Sequence, residues 1–271
     1  SFSLFLSPPI RALSIWPDSR IYGLLFFIIS IYFFIQFDTH KRFTDAIYNT
    51  IFLCLASYIS PNFGVFVIFY FYNFLKYYKA SIKTVVILVI NFVGALPAYY
   101  YLFKLQIFFL SKEAISGVDP LVRLNPSNKI LIISSIILFY FIPFLSNKNF
   151  SYDFYEKSKN LKKILLSIIC TVLLLFFFSY QKKFTGGGIF FQFSNLILNN
   201  NFLFYFICFF SITLFIYLWN ISLNNKLILF SLIISNPQLT IYHKYYDPLL
   251  IILFVLLFDF RTDIRKIFNT K

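Results

Sequence analysis

Residues 21–37 read IYGLLFFIISIYFFIQF, an apolar run without a single charge. Similar runs recur at 84–103 and 164–178. They approach or reach the roughly 17–25 residues with which an α-helix crosses about 30 Å of hydrocarbon. Each is apolar throughout rather than alternating, which disfavours the strands of a membrane barrel. Working outward from residue 21, charged breaks leave apolar windows at 21–37, 46–60, 63–75, 84–103, 130–145, 164–180, 202–219, 227–241 and 249–260. The window at 63–75 follows Pro61 and that at 227–241 contains Pro237, so both are expected to be broken or re-entrant. The expected fold is an all-α polytopic transmembrane helical bundle of about nine spans, with interfacial outer-loop helices. It is read as a single transmembrane domain over residues 1–271.

Composition agrees. The chain is 59% hydrophobic and 13% charged, against roughly 45–50% and about 25% in soluble domains, so the bilayer is its expected solvent. Aromatic residues make up 23%, but the bias toward Phe, Tyr, Ile, Lys and Asn fits an AT-rich coding sequence and is no sign of a stacking platform. A net charge of +14 does not point to nucleic acid, because the lysines punctuate apolar runs instead of gathering on one soluble face. Cys54, Cys170 and Cys208 lie far apart in apolar runs, which excludes a disulfide framework or thiolate cluster and makes them packing residues. The chain begins at Ser1 and has no methionine, so it is expected to be the C-terminal part of a longer protein.

Lysines and arginines set the orientation. Of the 24, 15 fall in the connections 38–45, 76–83, 147–163, 220–226 and the tail after 260. By the positive-inside rule these are cytoplasmic, and the C-terminus with them. Tyr77, Tyr78 and Trp219 then fit interfacial belts. The opposite connections, 7–20, 104–129, 181–201 and 236–247, would face the periplasm, the exterior or a lumen, and they carry the polar strings worth weighing.

Four strings stand out. Ser7-Pro8-Pro9-Ile10-Arg11, followed by Trp16-Pro17-Asp18-Ser19-Arg20, sets Arg11 and Asp18 where prolines prevent a continuous helix. They suit a phosphate site or an ordinary interfacial loop. The second string, Gly117 to Pro126, holds Asp119 and Arg123 in a turn that follows a short interfacial helix expected near 107–110. The third, Lys182-Lys183-Phe184-Thr185-Gly186-Gly187-Gly188, departs from a phosphate-binding P-loop because no Lys-Ser or Lys-Thr follows the glycines; it reads as a flexible loop. The fourth, Tyr242-His243-Lys244-Tyr245-Tyr246-Asp247-Pro248, is the sharpest. At the membrane surface, Lys244 and His243 could bind a lipid phosphate while Tyr242 and its neighbours contact a sugar or a polyprenyl chain; the bland alternative is an aromatic belt.

Absences narrow the field. With only two histidines, His40 and His243, on opposite expected faces, a histidine-rich metal site is disfavoured. No cofactor is expected, though a divalent cation held by carboxylates stays open. No span carries a central acid, which argues against an ion carrier. Asn91, an amide deep in a long run, is expected to make a helix-to-helix hydrogen bond.

Taken in order, the proline-rich stretch Pro8-Pro9-Ile10-Arg11 to Ser19 and the closing Pro237-Gln238-Leu239 and Tyr242 to Pro248 resemble loops of the GT-C superfamily of membrane glycosyltransferases. His243-Lys244-Tyr245 is similar to the basic-aromatic pair of its dolichyl-phosphate-glucose glucosyltransferase branch. The resemblance implies inverting transfer of a sugar from a polyprenyl-phosphate donor to a glycan or lipid-linked acceptor. Arg11, Arg123, His243 and Lys244 would hold phosphate, and Asp18 and Asp119 would contact acceptor or metal. The family's catalytic base would lie in a loop upstream of Ser1. Membrane lipids, the donor and the acceptor are the expected partners, with no nucleic acid; a lipid-linked glycan flippase or other multi-span transporter is the alternative. If the orientation holds, a cysteine placed at Ser116 reacts with an impermeant thiol reagent in intact cells, and labelling only after permeabilisation reverses the map.

Overall fold

The computed structural model describes residues 20–100, 125–145, 152, 154–156, 158–181, 186–235, 241–247 and 249–260. Among the described residues the regular structure is helical throughout, with no strand. The helices are α1 (Arg20–His40), α2 (Phe43–Ile59), α3 (Val67–Tyr78), α4 (Ile82–Tyr99), α5 (Pro126–Leu145), α6 (Leu161–Phe176), α7 (Gly188–Leu198), α8 (Phe202–Trp219), α9 (Leu223–Ile234) and α10 (Leu249–Leu256). Four of them, α1 from Ile21, α4, α5 and α8, are long and apolar enough to cross a membrane. The apolar helices α2, α7 and α9 are shorter. Outward faces agree with a lipid environment: Ile82 is 76% exposed, Phe92 65% and Phe176 80%, in runs of apolar surface larger than water-soluble proteins tolerate. This is a helical membrane protein.

The chain forms two compact units, Ser1–Gly117 with Phe230–Asn236, and Val118–Leu229 with Pro237–Lys271. In the first, α1 and α2 form a hairpin. Its turn at Lys41 adopts a left-handed φ of 56°, and Lys41 pairs with Asp38 at 2.6 Å. Deep in the hairpin, Asn49 Nδ2 donates to Ser30 O at 2.8 Å and to Ser30 Oγ at 2.9 Å, while Ser30 Oγ donates to Asn49 O at 3.1 Å. Lipid offers no hydrophobic drive between helices, so buried polar pairs of this kind fix the register. Pro61 breaks the chain as expected: a 3-10 turn, Pro61–Phe66, precedes α3. Rings then fill the core, with Phe27 4.6 Å from Phe63, Phe34 5.0 Å from Tyr70 and Phe37 4.8 Å from Phe74. The phenylalanine richness is packing. Gly94 lets α4 approach α2, where a Cβ would overlap Cys54 Sγ. Asn91 departs from expectation: its Nδ2 bonds Ile87 O of its own helix at 3.0 Å, satisfying the amide without a second helix.

In the second unit α5 is the central helix. Asn125 caps it, accepting from the backbone N–H of Ser127 at 2.9 Å and of Asn128 at 3.3 Å. The same residue holds the end of α6 by donating to Phe177 O at 2.8 Å and Ser179 Oγ at 3.0 Å. Ser179 N–H donates back to Asn128 Oδ1 at 2.9 Å. Asn225 makes a comparable join, donating to Asp259 O at 2.9 Å and Leu218 O at 3.2 Å and accepting from Asp259 N–H at 2.8 Å. This clamp ties the start of α9 to the chain leaving α10. The shortness of α7 was not legible in the sequence; at a rise of about 1.5 Å per residue its 11 residues extend roughly 16 Å, half a bilayer. Asn49→Ala should lower stability by about 1 kcal/mol, the scale of inter-helix hydrogen bonds in membranes, measured by reversible denaturation in mixed micelles; an unchanged midpoint would remove the clamp from the account.

Candidate functional site

Two of the polar strings meet in the second unit. The glycines 186–188 turn with φ of 98°, 88° and 79°, a left-handed region costly for any side chain. Gly187 N–H donates to Ile241 O at 2.9 Å, and a Cβ on Gly186 would come within 2.6 Å of the same oxygen. Gln192 Nε2 holds Gly186 O from within α7, and the Ile241 backbone also hydrogen-bonds the Tyr180 hydroxyl. At residues 186–188 the expected flexible loop is an ordered turn, and the N–H of Gly187 is used by protein rather than by an anion; residues 182–185 lie outside the described residues.

Packing fixes where this junction lies along α5. Gly188 lies against Ile132 and Ile136, about 9–15 Å along α5 from Pro126. His243 packs on Phe139 and Tyr140, with ring centroids 5.4 and 5.1 Å away. Tyr140 is about 21 Å along the same helix. The segment 241–247 therefore lies beside the middle and far half of α5. Packing draws it there: Ile241, Tyr246 and Asp247 are all buried.

At this segment, Tyr140 Oη and His243 Nε2 are 2.7 Å apart. The Asp247 carboxylate is within reach of the same hydroxyl. His243 Nδ1 and Asp247 Oδ1 are buried without a hydrogen bond. An orphaned N–H is costlier than a bare lone pair, so the proton belongs on Nε2. Nε2–H then donates to Tyr140 Oη, which fixes the ring beside the Asp247 carboxylate. Burial pushes the His243 pKa below its ordinary 6.5, opposed by the Asp247 charge. Lys244 is exposed, its Nζ 5.1 Å from the Tyr242 ring centre and 5.8 Å from that of Tyr245, a cation–π pair.

Of the residues expected to bind substrate, Tyr242, His243 and Lys244 thus share one short 3-10 turn and its lead-in. Arg11, Asp18, Asp119 and Arg123 lie outside the described residues, as does the interfacial helix expected near 107–110. Tyr140 was missed, since a tyrosine in an apolar run carries no signal of its own. Asp247 stood in the quoted string without a role. Among the described residues no three His, Cys, Asp or Glu side chains gather as metal ligands. Comparison with family models, curated proteins and solved structures finds no match.

Because the folded pKa of His243 lies below the unfolded value, the folded state takes up fewer protons in the interval between them. That contribution is complete above pH 6.5 and is lost as pH falls toward the folded pKa. Thermal midpoints in micelles should therefore fall with acidification below pH 6.5, and His243→Gln should flatten the fall; identical slopes would mean that the imidazole does not titrate in this environment.

Proposed function

We propose that the chain is a membrane glycosyltransferase that moves a sugar from a polyprenyl-phosphate donor to a lipid-linked or envelope acceptor. The observation that carries this reading is the junction at Ile241, which sets an exposed ammonium, Lys244, one residue from the half-buried His243, its partner Tyr140 and the nearby Asp247. A cation held by tyrosine rings suits a lipid phosphate, whose charge grows as the leaving group departs. In the transfer, an acceptor hydroxyl attacks the anomeric carbon and gives its proton to a carboxylate. The bond from that carbon to the phosphate oxygen breaks, and polyprenyl phosphate leaves. Lys244 and His243 act on the phosphate side of this exchange; Arg11 and Arg123 are further candidates for it, and Asp18 and Asp119 for the acceptor.

About nine spans, with the C-terminus on the cytoplasmic side, belong to the same proposal. In its support, the connections 38–45 and 76–83, assigned to one membrane face by charge, meet in the first unit: Lys41 Nζ lies 5.6 Å from the Tyr77 ring and Lys83 Nζ 5.8 Å from that of Phe43.

A lipid-linked glycan flippase is the second reading. It is favoured by non-helical backbone partway along α5 beside a half-length helix, since transporters build sites from broken helices near mid-membrane. Lys244→Ala should weaken binding of a polyprenyl-phosphate hexose about tenfold or more, the scale of a charged hydrogen bond, as measured in nanodiscs. Unchanged affinity would sink the phosphate site. In proteoliposomes, transbilayer movement of the labelled lipid without release of polyprenyl phosphate would replace transfer by transport.

A further inference from the structure

A second concavity in the same unit is chemically unlike the Lys244 region. It is an open concavity of about 560 Å³ where α6, α7 and α8 bring their ends together, within the roughly 300–1,000 Å³ of small-molecule pockets. Amides and aromatic rings line it, among them Gln181, Asn195, Asn200, Asn201, Phe202 and Tyr205. No charged side chain is among its described lining residues.

Helix geometry explains how the amides gather. Asn199, Asn200 and Asn201 form the tight link between α7 and α8, with Asn199 at a left-handed φ of 51°. The link is stitched from below: Ser194 Oγ donates to Asn200 O at 2.7 Å and accepts from Phe204 N–H at 3.1 Å. Asn195, 95% buried, spends its Nδ2 on Phe191 O and Asn201 Oδ1, both at 2.9 Å. Those bonds leave the Oδ1 of Asn195, the Nδ2 of Asn200 and Asn201, the Gln181 amide and the Tyr205 hydroxyl without partners among the described residues. The pocket therefore presents both donors and acceptors, fixed by a rigid link and backed by rings.

Paired neutral donors and acceptors beside aromatic faces match the hydroxyls and C–H faces of a sugar. An anion would want a cation, and a cation would want a carboxylate. The rim supplies a second clue. Leu196, Ile197 and Phe202 stand 77%, 58% and 74% exposed next to the amides, an apolar border that suits an acyl or prenyl chain. We propose that this pocket binds the uncharged sugar headgroup of a glycolipid, separately from the phosphate-handling junction at Ile241. Its place in a transfer reaction, as the seat of the sugar or of a sugar-bearing acceptor, rests on the transferase reading; the binding itself does not.

The test uses the chain in phosphatidylcholine nanodiscs free of glycoside detergents. Methyl β-glucoside, methyl α-mannoside and methyl N-acetyl-β-glucosaminide are titrated by saturation-transfer NMR, and the same sugars carried on diacylglycerol are titrated by native mass spectrometry. Gln181→Leu with Tyr205→Phe is the diagnostic variant, because neither side-chain polar group holds the fold together. At least one glycoside should bind saturably, more tightly as the lipid form, and the double variant should weaken it about tenfold. Equal affinity for free and lipid-borne sugar would overturn the glycolipid assignment. Absence of saturable binding, or binding indifferent to the double variant, would overturn the pocket. Lys244→Ala separates the two readings: glycoside affinity should not change with it, and a loss there would move the sugar to the Ile241 junction and end this inference. Glycoside binding that persists while donor phosphate affinity ignores Lys244 would leave the pocket standing and remove the transferase.

Discussion

Hydrocarbon cannot hydrogen-bond, so every backbone and side-chain polar group at membrane depth must find its partner within the protein. Each irregular feature of the second unit obeys that constraint in a visible way. The glycine turn at 186–188 gives an N–H to Ile241 O, the α6 terminus is held by Asn125 and Asn128, and the chain after α10 is held by Asn225. Asparagine recurs because its short amide donates and accepts at once, matching an exposed peptide group on both sides. Beside these pairs His243 Nδ1 and Asp247 Oδ1 are left unmatched, and buried polar groups kept unpaired raise the free energy of the fold.

The first unit works under the same rule with simpler means. Its spans are nearly continuous helix, and the residual polar groups are absorbed locally, as Thr50 Oγ1 on Ala46 O at 2.9 Å and Asn73 Nδ2 on Phe69 O at 2.9 Å. The Ser30 and Asn49 pair reaches between helices, as does the Tyr58 hydroxyl, which donates to Gly94 O. Its aromatic core adds van der Waals contact and ring geometry worth roughly 0.5–1.5 kcal/mol per pair beyond area. The first unit also keeps buried polar atoms without hydrogen bonds, Asp45 Oδ2 and Asn49 Oδ1 among them, so what sets the second unit apart is the imidazole joined to Tyr140 rather than unpaired groups alone.

The helices were legible in the sequence because hydrocarbon length and apolarity are local properties. Residues 202–219 coincide with α8, and the break at Pro61 appears where proline removes a hydrogen-bond donor. The half-length helix α7 was hidden, since eleven residues that mix apolar side chains with Gln192, Ser194 and Asn195, between a glycine run and an asparagine run, look like part of a loop. Also hidden was the junction at Ile241. Contacts between residues about fifty positions apart leave no periodic trace, and Tyr140 looks like any other ring in a run of rings. The segment 242–248 could be singled out by its density of polar chemistry, but its packing partners Phe139 and Tyr140 could not be read from it.

Exposure sets what Lys244 can be. A lysine at a membrane surface snorkels to headgroups without consequence. Lys244 is exposed in a turn whose neighbour His243 packs on Phe139 and Tyr140, and the rings of Tyr242 and Tyr245 attract its ammonium, about 0.5–1 kcal/mol each when exposed. An ammonium steadied by two rings keeps its place and stays open to an anion: water would leave it charged and idle, while a phosphate would be drawn to a fixed position beside the imidazole and the carboxylate.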